Sequence, residues 1–443
     1  MSETAVQHFL AEYRRSGPVA DPSWLAEQRQ AAVAAFSRSG FPTLRHEEWK
    51  YTDLRPLTRR EFVLPETAEA GPDQALADAV RFPDLDCFEL VFHNGRLLPE
   101  HSRLGGLPAG TIIKPLADAL RENPELLQPH LNRILDTDKN AFTALNTAFM
   151  TGGALVHIPA GVTVARPLHL AFLSGAAGGT TVTHPRNLIV MGANARAQLV
   201  ESFSGDDEAE YLTNSATELL LERGAQLTHY KIQQEGAAAY HVGNIRVSQR
   251  RDSRFESHSI SLGGTLVRND IDVRLEERGA QVLLNGLYLA GRRQHIDNHT
   301  RIDHLCPHTR SEQNYRGVLD GRARGVFNGK IVVHQDAQKT DARQSNANLL
   351  LSDEAEVDTK PELEIYADDV KCSHGASIGR LDEKMLFYLR SRAIDKDVAR
   401  SLLTFAFADD VISRIELKPV RARLERLTVG RLPDAGLIRE FMS

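Results

Sequence analysis

RGAQLTHY at 223–230 and RGAQVLLNG at 278–286 carry one phrase twice: a small residue at a turn, then side chains that alternate in and out of an extended chain. Looser echoes surround them in GANARAQL at 192–199, GRARGVFNG at 321–329, DAQKTDAR at 336–343 and DEAEVDTKP at 353–361. Ala193, Ala225, Ala280 and Ala323 are 32, 55 and 43 residues apart, and the later echoes follow after 14 and 18. Stacked β-coils with variable insertions give such spacing, because each coil buries its apolar face only against its neighbours. A β-sandwich is the competing arrangement, and the pattern favours the solenoid.

The phrases sit in a region, 151–380, of short Val/Ile/Leu/Thr runs punctuated by Gly, Asn and Asp. Before it, 1–150 reads as a mixed, partly helical part. A helix capped by Ser23 runs through Trp24, Leu25, Gln28, Ala32, Ala35 and Phe36 until Gly40 and Pro42 stop it. Shorter helical patterns cover 117–127 and 138–149, and DCFELVFHNGRLLPE predicts a hairpin at Asn94-Gly95. After the β region, 381–443 turns helical: Met385, Leu386 and Leu389 lie in one helix. Asp395 caps a second with Val398, Leu402, Phe405, Ala406 and Ile412 on one face, and Pro419 opens a third with Val420, Leu424 and Leu427. An amphipathic tail of this kind packs on its own body or docks in a partner's groove.

The chain has 443 residues, enough for about two to four folding units. Lys+Arg number 53 against 59 Asp+Glu, a net charge of −6 that gives no electrostatic reason to expect nucleic acid or an anionic membrane. No apolar run approaches a bilayer span, and the opening MSETAVQHFLAEYRRSG lacks a secretory pattern, so a cytoplasmic location is expected. Cys87, Cys306 and Cys372 are the only cysteines and form no Cys-x-x-Cys pair, which excludes a disulfide scaffold and a four-thiolate site.

Cys372 and His374 are two apart in ADDVKCSHGASIG; in a strand they share a face, and a protonated neighbour His favours thiolate. Two soft donors do not complete a metal site, so the rest must come from elsewhere; a buried Cys beside a hydrogen-bonded His is the competing reading. HIDNHTRIDHLCPH holds His295, His299, His304, Cys306 and His308, and the last three share one parity, although the spacing matches no zinc pattern and Pro307 interrupts it. Asp270, Asp272, Asp297 and Asp303 supply carboxylates of the kind that β-solenoid polysaccharide enzymes use, without a fixed catalytic separation. GRARGVFNGK is not a phosphate loop, because Arg324 stands where glycine is required and Ile331 replaces the hydroxyl residue.

The run from RGVFNGKIVVHQDAQKTDAR through ADDVKCSHGASIGRLDEKMLFYLRSR resembles the SufB/SufD family of SUF-system iron–sulfur assembly proteins, densely over about 320–395. RHEEWKYTDL at 45–54 is similar to an N-terminal element of the SufD branch. Ala355 stands where SufB-like chains carry a cysteine, and Ser373-His374-Gly375-Ala376 replaces their Glu-His-Glu-Ala; both departures favour the SufD branch. The resemblance implies a right-handed parallel β-helix flanked by N- and C-terminal domains, with no catalytic residues and no stably bound cofactor. It implies pairing with a SufB-like subunit at the end of the β-helix, with Cys372 and His374 near the interface where transient iron or a nascent cluster is held. It also implies contact between the 381–430 helices and SufC, an ABC-type ATPase that brings the missing nucleotide loop. A SufB-like scaffold and a homodimer closing on the same interface are the nearest alternatives.

Overall fold

The computed structural model describes residues 2–17, 21–65, 76, 78, 80–150, 152–175 and 179–432, so the end of the helical tail, 433–443, lies outside it. The 151–380 region winds as a parallel β-solenoid, and strands Phe88–His93, Arg96–Leu97 and Ile112–Pro115 of the N-terminal part complete its two ten-stranded sheets around one interior. Arg196, Gln226, Arg254, Gln281, Arg310, Asp341 and Lys371 stand in one register column, 27–31 residues apart. Leu212, Tyr240, Leu266, His295, Arg324 and Glu356 form the matching column of the other sheet. The irregular phrase spacing now has a cause. Ala225 and Ala280 precede the first column two coils apart, whereas Ala323 precedes the second. At the first echo Ala195, not Ala193, holds the equivalent place.

One corner explains why the phrase recurs. Two residues before six of the seven strands of the first column the backbone turns left-handed, at Asn194, Gly224, Asp252, Gly279, His308 and Lys339; the last strand, opening at Lys371, lacks this turn. Glycine is needed at 224 and 279 because a Cβ there would collide with the side chains of Asn194 and Asp252 in the coil below. The next residue is small and buried: Ala195, Ala225, Ser253, Ala280, Thr309 and Thr340. Inward side chains then stack in columns such as Ala197, Leu227, Phe255 and Val282, and each fully buried Leu, Val or Phe adds about 1.5–3 kcal/mol.

The N-terminal helices, Ser2–Ser16 and Ser23–Ser39, contribute Phe9 and Phe36 to a cluster with Phe41, Trp49, Phe142 and Phe149 that covers one outer face. The first was not expected, although Val6, Phe9 and Leu10 repeat at helical spacing. Ser23 does not cap the second: Pro22 holds that place with no side-chain cap. The 117–127 pattern breaks into Leu116–Glu122 and Pro124–Leu127, because Pro124 offers no N–H. The 138–149 pattern starts later, at Ala141, where the Asn140 side chain accepts from the Phe142 and Thr143 amides. The hairpin at Asn94-Gly95 joins Phe88–His93 to Arg96–Leu97 as the sequence predicts.

Helices Glu383–Ser391, Lys396–Ile412 and Lys418–Val429 form the tail, with Asp395 capping the second and Pro419 in the first turn of the third. The buried face of the second is Val398, Ser401, Thr404, Ala408, Val411 and Ile412 rather than the Leu402–Phe405–Ala406 stripe, and Ala406 is exposed. Ala408, Val411 and Ile412 of this face, with Val420 and Leu424, pack with Tyr230, Ile232, Ile260 and Leu287 of the solenoid. The leading helix does otherwise: Leu386 turns in, while Met385, Phe387 and Tyr388 stay exposed. Among the described residues no helix is long and apolar enough to cross a membrane.

Candidate functional site at the open end of the solenoid

Strands Glu356–Ile365 and Lys371–Gly379 end the two sheets, and among the described residues each pairs along one edge only. In the preceding coil Ala342, Gln344, Asn346 and Asn348 point into the buried interior. Their register partners are Cys372, His374, Ala376 and Ile378, so the two candidate ligands share the inward face. No further coil covers them. His374 is exposed, and Cys372 is half-buried against the interior cluster. Exposed Ile365 and Ile378 border the same end.

Burial and the charge of Asp341 push the Cys372 thiol up, against the expectation that His374 would favour thiolate. A metal bound here therefore displaces the thiol proton. Among the described residues no third His, Cys, Asp or Glu converges on the pair. Two donors at an open end form an incomplete set.

A polar column lies behind His374, and the sequence reading missed it. Gln344 donates to Gln313 at 2.7 Å, and Gln313 donates to Thr300. Further in, Lys231 donates to Asn269 at 2.5 Å and Asn269 donates to Asn298 at 3.1 Å. Deeper still, Glu201 accepts from Asn187 at 2.6 Å and pairs with His229 at 2.8 Å. The signal was available: Lys231, Asn269, Asn298, Gln313 and Gln344 occupy inward positions of the strand alternation, where apolar residues are the rule.

The histidine stretch does not gather a metal. The strand ends at His304, which is buried between the Thr309 and Ser311 hydroxyls at 2.8 and 2.9 Å. Cys306 donates to the Glu276 carbonyl from beyond the strand, and His308 occupies the left-handed corner, so the shared parity of the three is lost. His295 and His299 instead meet the N-terminal element. Thr52 bonds both His295 and Asp297, and His299 pairs with Asp297 at 3.0 Å and Glu48 at 3.3 Å. Arg268 donates to the Glu48 carbonyl and binds both Asp270 and Asp297, while Lys360 of the last coil pairs with Glu47. RHEEWKYTDL is thus a clamp on the solenoid face.

The four aspartates that could serve glycoside chemistry are committed to ion pairs: Asp270 and Asp297 are bound by Arg268, and Asp303 by Arg301 and His334. Asp272 faces Arg246 at 3.8 Å. Each is matched by a cation. Asp270, Asp272 and Asp303 line, with Lys139 and Lys330, a cleft of about 580 Å³ between the clamp and the solenoid.

Comparison with known proteins agrees with this architecture. Residues 172–407 match the family described as SUF system FeS cluster assembly, SufBD core domain, and residues 7–170 match the SufBD protein N-terminal region. The chain is 34% identical over 414 residues to an iron–sulfur cluster assembly SufBD family protein of Synechocystis, covering 92% of this chain and 91% of that one. It is 30% identical over 438 residues to the iron–sulfur cluster assembly protein SufD of Escherichia coli, covering 98% of each. SufB of Bacillus subtilis is 26% identical over 337 residues, 74% of this chain and 69% of that one. Two family domains that together span nearly the whole chain, over a parallel solenoid with helical ends, leave one assignment: the chain belongs to the SufBD family of iron–sulfur cluster assembly proteins.

Proposed function

We propose that this chain is the SufD-like, non-catalytic subunit of a cytoplasmic assembly complex with a SufB-like subunit and the ATPase SufC. The observation that carries the reading is the open end: two edge strands offering unpaired backbone groups, with Cys372 and His374 on the inward face of the last strand. Edge strands invite pairing with another chain, and a second solenoid that docks there brings the missing thiolate or carboxylate. The pair then holds iron or a nascent cluster transiently, as cargo. The leading helix, with Met385, Phe387 and Tyr388 exposed around it, is the SufC contact, since a short helix seldom leaves three large apolar side chains exposed without a partner. ATP-driven approach of two such ATPases would twist the docked solenoids and open the half-site for iron or sulfur.

Co-expression with SufB-like and SufC subunits tests this, with cluster read from visible absorption after anaerobic purification. Cys372→Ala/His374→Ala should leave the complex assembled and remove the cluster signal. An unchanged cluster yield refutes the half-site. A chain that recovers only as a homodimer, with the ATPase and SufB-like subunit absent, refutes the heterocomplex.

A further inference from the structure

Three buried donors lie at the opposite end of the solenoid. Cys87 directly precedes strand Phe88–His93, Glu89 lies within it, and His169 is in the adjoining strand Leu168–Ser174. A ligand atom from each falls within 4.8 Å of the others, and all three residues are at most 2% exposed. Glu89 and His169 are register partners, while Phe88, Leu90 and Phe92 of the other parity fill the interior. The triad therefore faces outward, and the Phe82 ring meets His169 edge-on at 5.2 Å. At about 4.8 Å per strand, the seven strand steps from His169's strand to Lys371–Gly379 put the triad at least about 34 Å from the open end.

The surroundings are those of a built site. Glu89 Oε1 lies 2.8 Å from His169 Nδ1, and its second oxygen accepts from Arg103 at 3.1 Å. His169 Nε2 lies 2.7 Å from the Ser202 hydroxyl. That hydroxyl can donate or accept. If it accepts from Nε2–H, the Nδ1 lone pair turns toward Glu89 and Cys87, the arrangement by which a neighbouring group orients a ligating imidazole. Without a cation, burial and the Glu89 charge push the Cys87 thiol up to about 11. A dication reverses this, because one thiolate and one carboxylate match its two charges.

We propose that Cys87, Glu89 and His169 form a binding site for a borderline first-row dication, Fe²⁺ or Zn²⁺, distinct from the pair at the open end. A mixed sulfur, nitrogen and oxygen set suits these ions, and three protein ligands leave one coordination position. Binding releases the Cys87 proton to solvent and shifts the His169 proton to Nε2.

The test is titration of the full-length chain with Co²⁺. One equivalent should bind with an intense near-ultraviolet thiolate-to-metal band that Cys87→Ser removes and Cys372→Ser/His374→Ala keeps. Ser202→Ala should weaken binding about 10–100-fold by releasing the imidazole. X-ray absorption on the unmodified protein loaded with Zn²⁺ should show one sulfur among nitrogen and oxygen ligands, a readout that needs no variant to fold. A band that survives Cys87→Ser, a band that follows Cys372, a sulfur-free Zn²⁺ shell, or no uptake overturns the site.

Discussion

The guanidinium carbon of Arg268 lies 3.9 Å from the centroid of the Trp49 ring. Trp49 in turn stacks on Phe142 at 5.4 Å, so one line of contact runs from the solenoid face through the clamp into the N-terminal core. Arg268 is 2% exposed and holds Asp270 and Asp297, which makes this a desolvated cation over an aromatic face, worth about 2 kcal/mol.

Arg268→Met should therefore destabilise the fold by about 3–5 kcal/mol, because it leaves Asp297 buried without its guanidinium. Arg268→Lys should recover little, since an ammonium cannot bridge two carboxylates and a ring together. Urea unfolding of the three proteins checks this. A loss below about 1 kcal/mol for the methionine variant would mean that His299 alone suffices for Asp297.

Stability should fall on the acid side earlier than carboxylates alone dictate. His184 is buried, stacked on Phe149 at 5.1 Å, and burial depresses it to about 3; His304 is likewise depressed to about 4. A histidine lowered by folding binds fewer protons folded than unfolded. Its stabilisation is therefore complete above the unfolded value of about 6.5 and drains as pH falls toward 3–4. The slope is at most about 1.4 kcal/mol per pH unit for each group. Urea midpoints between pH 7 and 4 should show it, and His184→Gln should flatten the curve; equal slopes in both proteins would contradict the assignment.

Tyr288 pairs in register with Gly317, and Tyr315 with Gly286, so adjacent coils exchange a ring for a hydrogen twice. A Cβ on Gly317 would collide with the Tyr288 ring, and one on Gly286 with the Tyr315 ring. Gly317→Ala should cost about 1–3 kcal/mol by overpacking, with Gly317→Ala/Tyr288→Leu recovering part of it. Thermal melts of the single and double variants decide. Failure of the second change to rescue the first would show that the clash lies elsewhere.

The coil was legible because a corner that needs a left-handed residue and then a small one must repeat. Gly224-Ala225 and Gly279-Ala280 spell that requirement openly. Asn194-Ala195 and Lys339-Thr340 meet it with other residues, and so the echo faded there. The phrase at 321–329 belongs to the opposite corner, a distinction that one-dimensional spacing cannot express. Strand parity carried Cys372 and His374 to one face, but failed for Cys306 and His308 because the strand had already ended. The Cys87, Glu89 and His169 triad was out of reach, since register pairing across 80 residues brings Glu89 to His169.

Phe387→Glu should separate partner docking from folding. Phe387 is 76% exposed, and Met385 and Tyr388 beside it are more than half exposed, so a carboxylate there meets water in the free chain and alters stability by no more than about 0.5 kcal/mol. In a docked complex the same carboxylate is trapped against an apolar groove, where an unpaired buried charge costs several kcal/mol and lowers affinity at least a hundredfold. Leu386→Glu is the informative contrast: this neighbour is buried, so its charge damages the helix's own packing and the melting temperature with it. Pull-down of the SufC-type ATPase together with thermal melts gives the answer. Loss of capture with an unchanged melt for Phe387→Glu places the contact on this helix, and capture at the level of the unmodified chain removes it from consideration.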